Sequence, residues 1–205
     1  MIPVRVNGIP SFVSVVVAAG TGGPSDIHQF FQSIDKRCPA EFFFVQHGPD
    51  WIMKLLARQI KQGTGFPCAL AYQDLQPTQG NIYLAPGDHH LTFSPPPVSL
   101  ELNQEPKENY LRPSADYLFR KATTLFGEFW VAVILSGLVR DRSEGARNIK
   151  VSGGSRFCWR PQGFGSTLYA TSRDRLEGSW WNPTIEYAWR SCDGSSPSFE
   201  WRVDL

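Results

Sequence analysis

The run WVAVILS at 130–136 constrains this chain most. It is too uniformly apolar to alternate between solvent and core, so it reads as a strand covered on both faces. SVVVA at 14–18 is a β-branched run of the same kind, bounded by glycine-rich sequence. Strands of this type need helices on both sides of their sheet, and the intervening segments supply them. Pro24 suits a first helical turn, and Ile27, Phe30, Phe31 and Ile34 then fall at i, i+3, i+4 and i+7 as one apolar stripe. EFFFVQ at 41–46 reads as the next strand, and Ile52, Leu55, Leu56 and Ile60 mark a second amphipathic helix. CALAY at 68–72 is a further short strand, after which Pro77 and Gly80 punctuate a turn before NIYLAPGD. Residues 81–102 fit a compact antiparallel section with SPPP at 94–97 as a loop, since prolines cannot donate to a ladder. Pro113 and Ser114 open a helix carrying Leu118, Ala122 and Leu125. The alternation predicts an α/β fold: a doubly wound, mostly parallel sheet with helices on both faces and a small antiparallel section.

At 205 residues the chain is long enough for one sizeable core, and residues 1–205 are expected to form a single domain. A formal net charge of +1 and the lack of a dense Lys/Arg run argue against nucleic acid as a partner. No apolar stretch approaches the ~18 residues a bilayer requires, and no signal-peptide pattern opens the chain. The expectation is a cytoplasmic protein without membrane insertion. Cys38, Cys68, Cys158 and Cys192 form no C-x-x-C pair and read as buried free thiols, consistent with a reducing compartment. His89 and His90 are adjacent and on a strand would face opposite ways, which disfavours one shared metal. Trp180, Trp181, Trp189 and Trp201 gather in the divergent tail at 179–205, either covering a face of the core or forming a partner surface.

Three positions converge on the carboxyl edge of the expected sheet, where ligands and catalytic groups collect in doubly wound folds. Gly20 and Thr21 follow the first long strand, His47 follows FFFVQ, and Asp141 follows WVAVILSGLVR. A nucleophile, a base and a carboxylate from three strand ends is the arrangement of a Ser-His-Asp relay. In VVVAAGTGGPSD at 15–26 the apex of a nucleophile elbow falls on Gly20, which has no side chain to react. Shifting the elbow by one residue puts Thr21 at the apex of AGTGG, although a β-branched residue tolerates positive φ poorly. His47 and Asp141 also have structural readings, as a hydrogen-bonded strand-end histidine and as a cap for a helix starting near Ser143.

These residues resemble the catalytic domain of the CheB chemoreceptor methylesterases, from about Ser14 to Gly178. GTGGP at 20–24 stands where the family has S-T-G-G, and VQHGP at 45–49 is similar to V-Q-H-M-P. IYLAPGDHHL at 82–91 resembles Y-I-A-P-G-D-x-H, and LRPSADYLF at 111–119 resembles H-R-P-S-V-D-x-L-F. VILSGLVRD at 133–141 resembles V-I-L-T-G-M-G-x-D. The resemblance implies one α/β domain acting on glutamate methyl esters of chemoreceptors, with no metal or organic cofactor. His47 would be the general base, Asp141 would orient it, the Thr21 N–H would help hold an oxyanion, and Gly20 would occupy the nucleophile's place.

The departures from the family cluster around chemistry. Ala18 replaces the small glycine before the nucleophile, Leu138 and Val139 replace Met-Gly, and Arg142 replaces the glycine after the aspartate. The later F-G-M-P segment has LYAT at 168–171 as its nearest counterpart, while APGD and RPSAD are intact. The expectation is therefore a domain impaired in ester hydrolysis that retains binding to a chemoreceptor or another signalling partner. The alternative is an active methylesterase using Thr21 or a water activated by His47. The family's N-terminal receiver domain is not expected in a chain with 13 residues before its first long strand.

Overall fold

The computed structural model describes residues 5–6, 9–10, 13–19, 23–126, 130–135, 155–161 and 166–170. A short antiparallel ribbon, β1 (Arg5–Val6) and β2 (Ile9–Pro10), comes first. Then follow β3 (Val13–Ala19), α1 (Gly23–Gln32), β4 (Ala40–Gln46), α2 (Asp50–Thr64), β5 (Cys68–Leu70) and β6 (Ile82–Leu84). The chain continues through β7 (His90–Phe93), β8 (Leu100–Asn103), α3 (Ala115–Phe126), β9 (Trp130–Ile134), β10 (Ser155–Pro161) and β11 (Ser166–Ala170).

A seven-stranded sheet has the order β11-β10-β9-β3-β4-β6-β5. Its neighbours are parallel except β11, which runs antiparallel to β10. The chain builds outward from β3 in one direction through β4 and in the other through β9, so the order switches at β3. That switch is where an open α/β sheet leaves a crevice at its carboxyl edge. Ala19 pairs with Gln46 and Ala18 with Ile134, which brings the carboxyl ends of β3, β4 and β9 to one level.

Successive strand side chains point to opposite faces, and here both faces are covered. Val15, Val17, Phe42, Phe44, Ile82, Leu84, Val131 and Val133 pack under α1 and α2. Val16, Ala18, Phe43, Val45, Tyr83 and Ala132 pack under α3 and the antiparallel pair β7-β8. The α1 stripe is as expected, with Ile27, Phe30, Phe31 and Ile34 all buried. In α2 the buried set is Met53, Leu56, Ala57, Ile60 and Thr64, whereas Leu55, expected inside, is 49% exposed. Met53 reaches back over Gly48, where a Cβ would stand 2.7 Å from its Cε.

The antiparallel section is narrower than expected. β7 and β8 pair from His90↔Asn103 to Phe93↔Leu100, but β6 belongs to the parallel sheet between β4 and β5. The free-thiol expectation also fails at Cys38, which is disulfide-bonded. Cysteine usage therefore no longer argues for a reducing compartment. Cys68 is a free thiol whose pKa burial pushes up to about 12. Among the described residues no helix is long and apolar enough to cross a membrane. The Trp-rich tail at 179–205 lies outside the described residues.

Candidate functional site

β4 ends at Gln46, and His47, Gly48 and Pro49 lead directly into α2. Pro49 holds an extended conformation (φ −69, ψ 155) at the helix N-cap. Its carbonyl accepts the N–H groups of Ile52 and Met53 at 3.0 and 3.2 Å. The turn is thus short and anchored at its helical end, and it carries His47 at the sheet's carboxyl edge. His47 is half-buried, with Nδ1 withdrawn from solvent. The neighbouring Gln46 Oε1 is buried without a hydrogen-bond partner among the described residues.

The APGD stretch braces this turn from the side. A Cβ on Gly87 would lie 2.6 Å from the Asp50 backbone nitrogen, 2.9 Å from the Gly48 oxygen and 3.1 Å from the Pro49 carbonyl carbon. Glycine is required there because two backbones meet. Asp88, with φ 58, receives Arg112 Nη2 and Nε at 2.7 and 3.1 Å. The guanidinium holds the Asp88 carboxyl below its usual range. Arg112 Nη1 also donates to the carbonyls of Gln104 and Glu105 at 2.9 and 3.1 Å. APGD and LRPS are thereby clasped together.

A second clasp uses His90, which is fully buried and stacked on Tyr117 at 4.3 Å. Its Nδ1 accepts the Ser114 N–H at 3.3 Å, so the ring proton sits on Nε2 and is donated to the Pro106 carbonyl at 3.2 Å. Burial lowers the His90 pKa and keeps the ring neutral. Both ring nitrogens are committed to backbone. Among the described residues no group of three or more His, Cys, Asp or Glu side chains could hold a metal ion.

The result is a cleft of about 390 Å³ lined by His47–Asp50, Gly87, Asp88, Lys107 and Tyr110–Arg112. Asp50 is paired with Lys54 at 2.7 Å and Asp88 with Arg112. Lys107 makes no ion pair among the described residues. Of the positions singled out in the sequence, His47 is in this cleft, and Gly20, Thr21 and Asp141 lie outside the described residues. The strand ends that precede them, Ala19 of β3 and Ile134 of β9, are at the level of Gln46. Asp50, Lys107 and Tyr110 escaped sequence reasoning, and Leu111 entered it only as the start of the LRPSADYLF segment. Asn109 carried the one usable signal, since Asn favours a left-handed turn position.

Comparison with known proteins places this arrangement. The family model described as CheB methylesterase matches residues 15–163. A protein-glutamate methylesterase/protein-glutamine glutaminase of Pyrococcus abyssi is 30% identical over 148 residues, covering 71% of this chain and 40% of that protein. A second protein of that description, from Rhodospirillum rubrum, is 36% identical over 146 residues, covering 69% of this chain and 38% of its own length. This chain therefore spans about two-fifths of the length of those relatives. The crystal structure of the Thermotoga maritima CheB methylesterase catalytic domain superposes with a TM-score of 0.67 at 31% identity, over 71% of this chain and 78% of that one. With its β3-centred sheet, its His47 strand end and its clasped APGD and RPS segments, the chain belongs to the CheB methylesterase family.

Proposed function

We propose that this is a CheB-type domain of chemotaxis signalling that has lost efficient ester hydrolysis and keeps a binding role toward a chemoreceptor or another cytoplasmic signalling protein. The observation that carries this is Gly20. It follows the β3 end whose last residue, Ala19, is paired with the residue preceding His47, and it brings no hydroxyl. The matching relatives are protein-glutamate methylesterases by description, which supports a glutamyl side-chain ester as the ligand class.

In the family's chemistry His47 would take a proton from the nucleophile, and Asp141 would hold the imidazole in the tautomer that does so. Without the nucleophile this pair has nothing to activate except water. Loss of the serine from such a relay costs on the order of 10⁶ in turnover. Backbone donors and binding alone leave roughly 10³ to 10⁴ over the uncatalysed rate, so a trace of activity is compatible with the proposal. The resemblance extends over a single domain, with residues 179–205 divergent.

A second reading is favoured by AGTGG at 19–23, in which Thr21 stands as small-x-Thr-x-Gly. Thr21 would then attack the ester, with His47 as its base. The deciding experiment measures methanol release from methylated chemoreceptor by the native protein, Gly20→Ser and Thr21→Ala, with circular dichroism confirming that each folds. Turnover by Gly20→Ser alone supports a silenced esterase with His47 and Asp141 still poised. Turnover by the native protein that Thr21→Ala abolishes overturns it in favour of Thr21. Turnover by none leaves binding as the function and places further damage at Val139 and Arg142.

A further inference from the structure

The turn at Glu108–Leu111 carries an aromatic ring in a place that folding does not explain. Glu108 N–H donates to the Leu111 carbonyl at 3.2 Å and Leu111 N–H to the Glu108 carbonyl at 2.8 Å, closing a two-residue turn. Its central residues, Asn109 (φ 48) and Tyr110 (φ 65), are both left-handed. The second central position of such a turn favours glycine, and a side chain there costs roughly 1–2 kcal/mol. Tyr110 recovers none of this among the described residues: it is 95% exposed and makes no hydrogen bond there. A strained backbone held by its surroundings points to use elsewhere.

The surroundings hold it firmly. The Glu108 carboxylate accepts the Ser114 hydroxyl at 3.2 Å and Arg120 Nη1 at 3.1 Å, which ties the turn to the start of α3. Tyr110 lines the His47 cleft. Trp51, which follows the lining residue Asp50, is 68% exposed. The carboxylates at the mouth are already paired, and Lys107, near enough to help hold the Asp88 carboxyl low, makes no ion pair among the described residues.

We propose that Tyr110 and Lys107 form the partner-recognition rim of the His47 cleft, gripping an acidic peptide segment whose glutamyl ester enters it. Tyr110 stacks on the segment and Lys107 faces its carboxylates. This rests on the glutamyl-ester reading above. It is independent of turnover, because the rim acts in binding.

The test is fluorescence anisotropy of a labelled, Glu-rich synthetic helical peptide bearing one glutamate γ-methyl ester, with the full chain and its variants Tyr110→Gly, Tyr110→Asn and Tyr110→Phe. Gly and Asn both accept the left-handed backbone, so they remove the ring without disturbing the turn. Both are expected to bind about tenfold more weakly, a loss typical of one aromatic anchor, with thermal midpoints at or above that of the native protein. Tyr110→Phe should keep the affinity within about twofold, since the ring face is retained. A peptide with Gln in place of Glu should bind more weakly than the acidic one. Equal binding by the Gly and Asn variants overturns the role of Tyr110 and leaves the glutamyl-ester reading standing. Equal binding of the Gln peptide overturns the charge complementarity. No binding of either peptide by the native protein overturns both the rim and the reading beneath it.

Discussion

Gly87 and Asp50 meet backbone to backbone: a Cβ on Gly87 would stand 2.6 Å from the Asp50 nitrogen. The Gly48 oxygen, at 2.9 Å from the same point, blocks the other side. No side-chain rotation relieves such a contact, so one segment must shift. Gly87→Ala is expected to destabilise the protein by about 2–4 kcal/mol, the range of a steric defect in a close-packed site. In a chain of this length that lowers the thermal midpoint by roughly 5–15 °C. Hydrogen exchange should accelerate first at the amides of Ile52 and Met53, whose bonds to Pro49 end the His47 turn. Unchanged exchange there with an unchanged midpoint would show that the two backbones do not depend on each other.

The clasp at Arg112 separates an ion pair from hydrogen bonds to backbone. Asp88 is 61% exposed in its side chain, so its attraction to Arg112 is screened by solvent. The Arg112 side chain is 16% exposed and also holds the Gln104 and Glu105 carbonyls. Asp88→Asn should therefore leave the urea midpoint nearly unchanged, whereas Arg112→Ala should cost about 2–3 kcal/mol in urea denaturation. Arg112→Lys should fall near the alanine variant, because an ammonium cannot span carboxylate and carbonyls as a planar fork does. Equal losses for Asp88→Asn and Arg112→Ala would assign the clasp to the ion pair instead.

Much of this arrangement is local in the sequence, and the part that is not follows a physical division. Val15, Val16 and Val17, or Phe42, Phe43 and Phe44, are apolar without alternation because both sheet faces are covered, and that pattern is visible without a structure. Leu55 misled because an apolar residue at helical spacing need not face the core when Met53 and Ala57 fill that side. β1 and β2 are two residues each, too short for any periodicity. His47 was legible as the residue after a buried strand. The opposite wall of its cleft was legible only as the separate APGD and RPSAD segments, since Arg112 reaches Asp88 across 24 positions and neither stretch announces that it meets the other. Tyr110 was least legible, because turn chemistry favours small residues where this chain keeps a large one.

Trp130 begins β9 with its ring fully buried, and its Nε1 has no hydrogen-bond partner among the described residues. An unpaired buried donor costs about 1–3 kcal/mol, which offsets part of the gain from burying the ring. Trp130→Phe removes the donor together with some packed area, so its net effect should lie within about 1 kcal/mol of the native protein. Trp130→Ala leaves the cavity without that compensation and should cost about 3–5 kcal/mol. Denaturant midpoints measure both. A loss for Trp130→Phe near that of the alanine variant would mean that the indole N–H is satisfied in solution.

Glu41 lies on β4 with 3% of its surface exposed, and the Ser14 hydroxyl of β3 donates to its Oε1 at 2.9 Å. Burial raises its pKa from 4.5 to about 7, against the smaller opposing pull of that hydrogen bond. The folded state therefore binds this proton more tightly than the unfolded state, and the sign of the pH dependence follows. The contribution is fully present below pH 4.5, declines as the pH rises toward about 7, and has gone above it. The span corresponds to stability on the order of 3 kcal/mol. Glu41→Gln keeps the shape and removes the titration. It should match the native protein near pH 4.5 and exceed it by about 1–3 kcal/mol at pH 8. Urea midpoints of both proteins at half-unit steps from pH 4.5 to 8 decide the matter. A native decline that persists undiminished in Glu41→Gln would assign it to other groups and leave Glu41 ionised in its buried site.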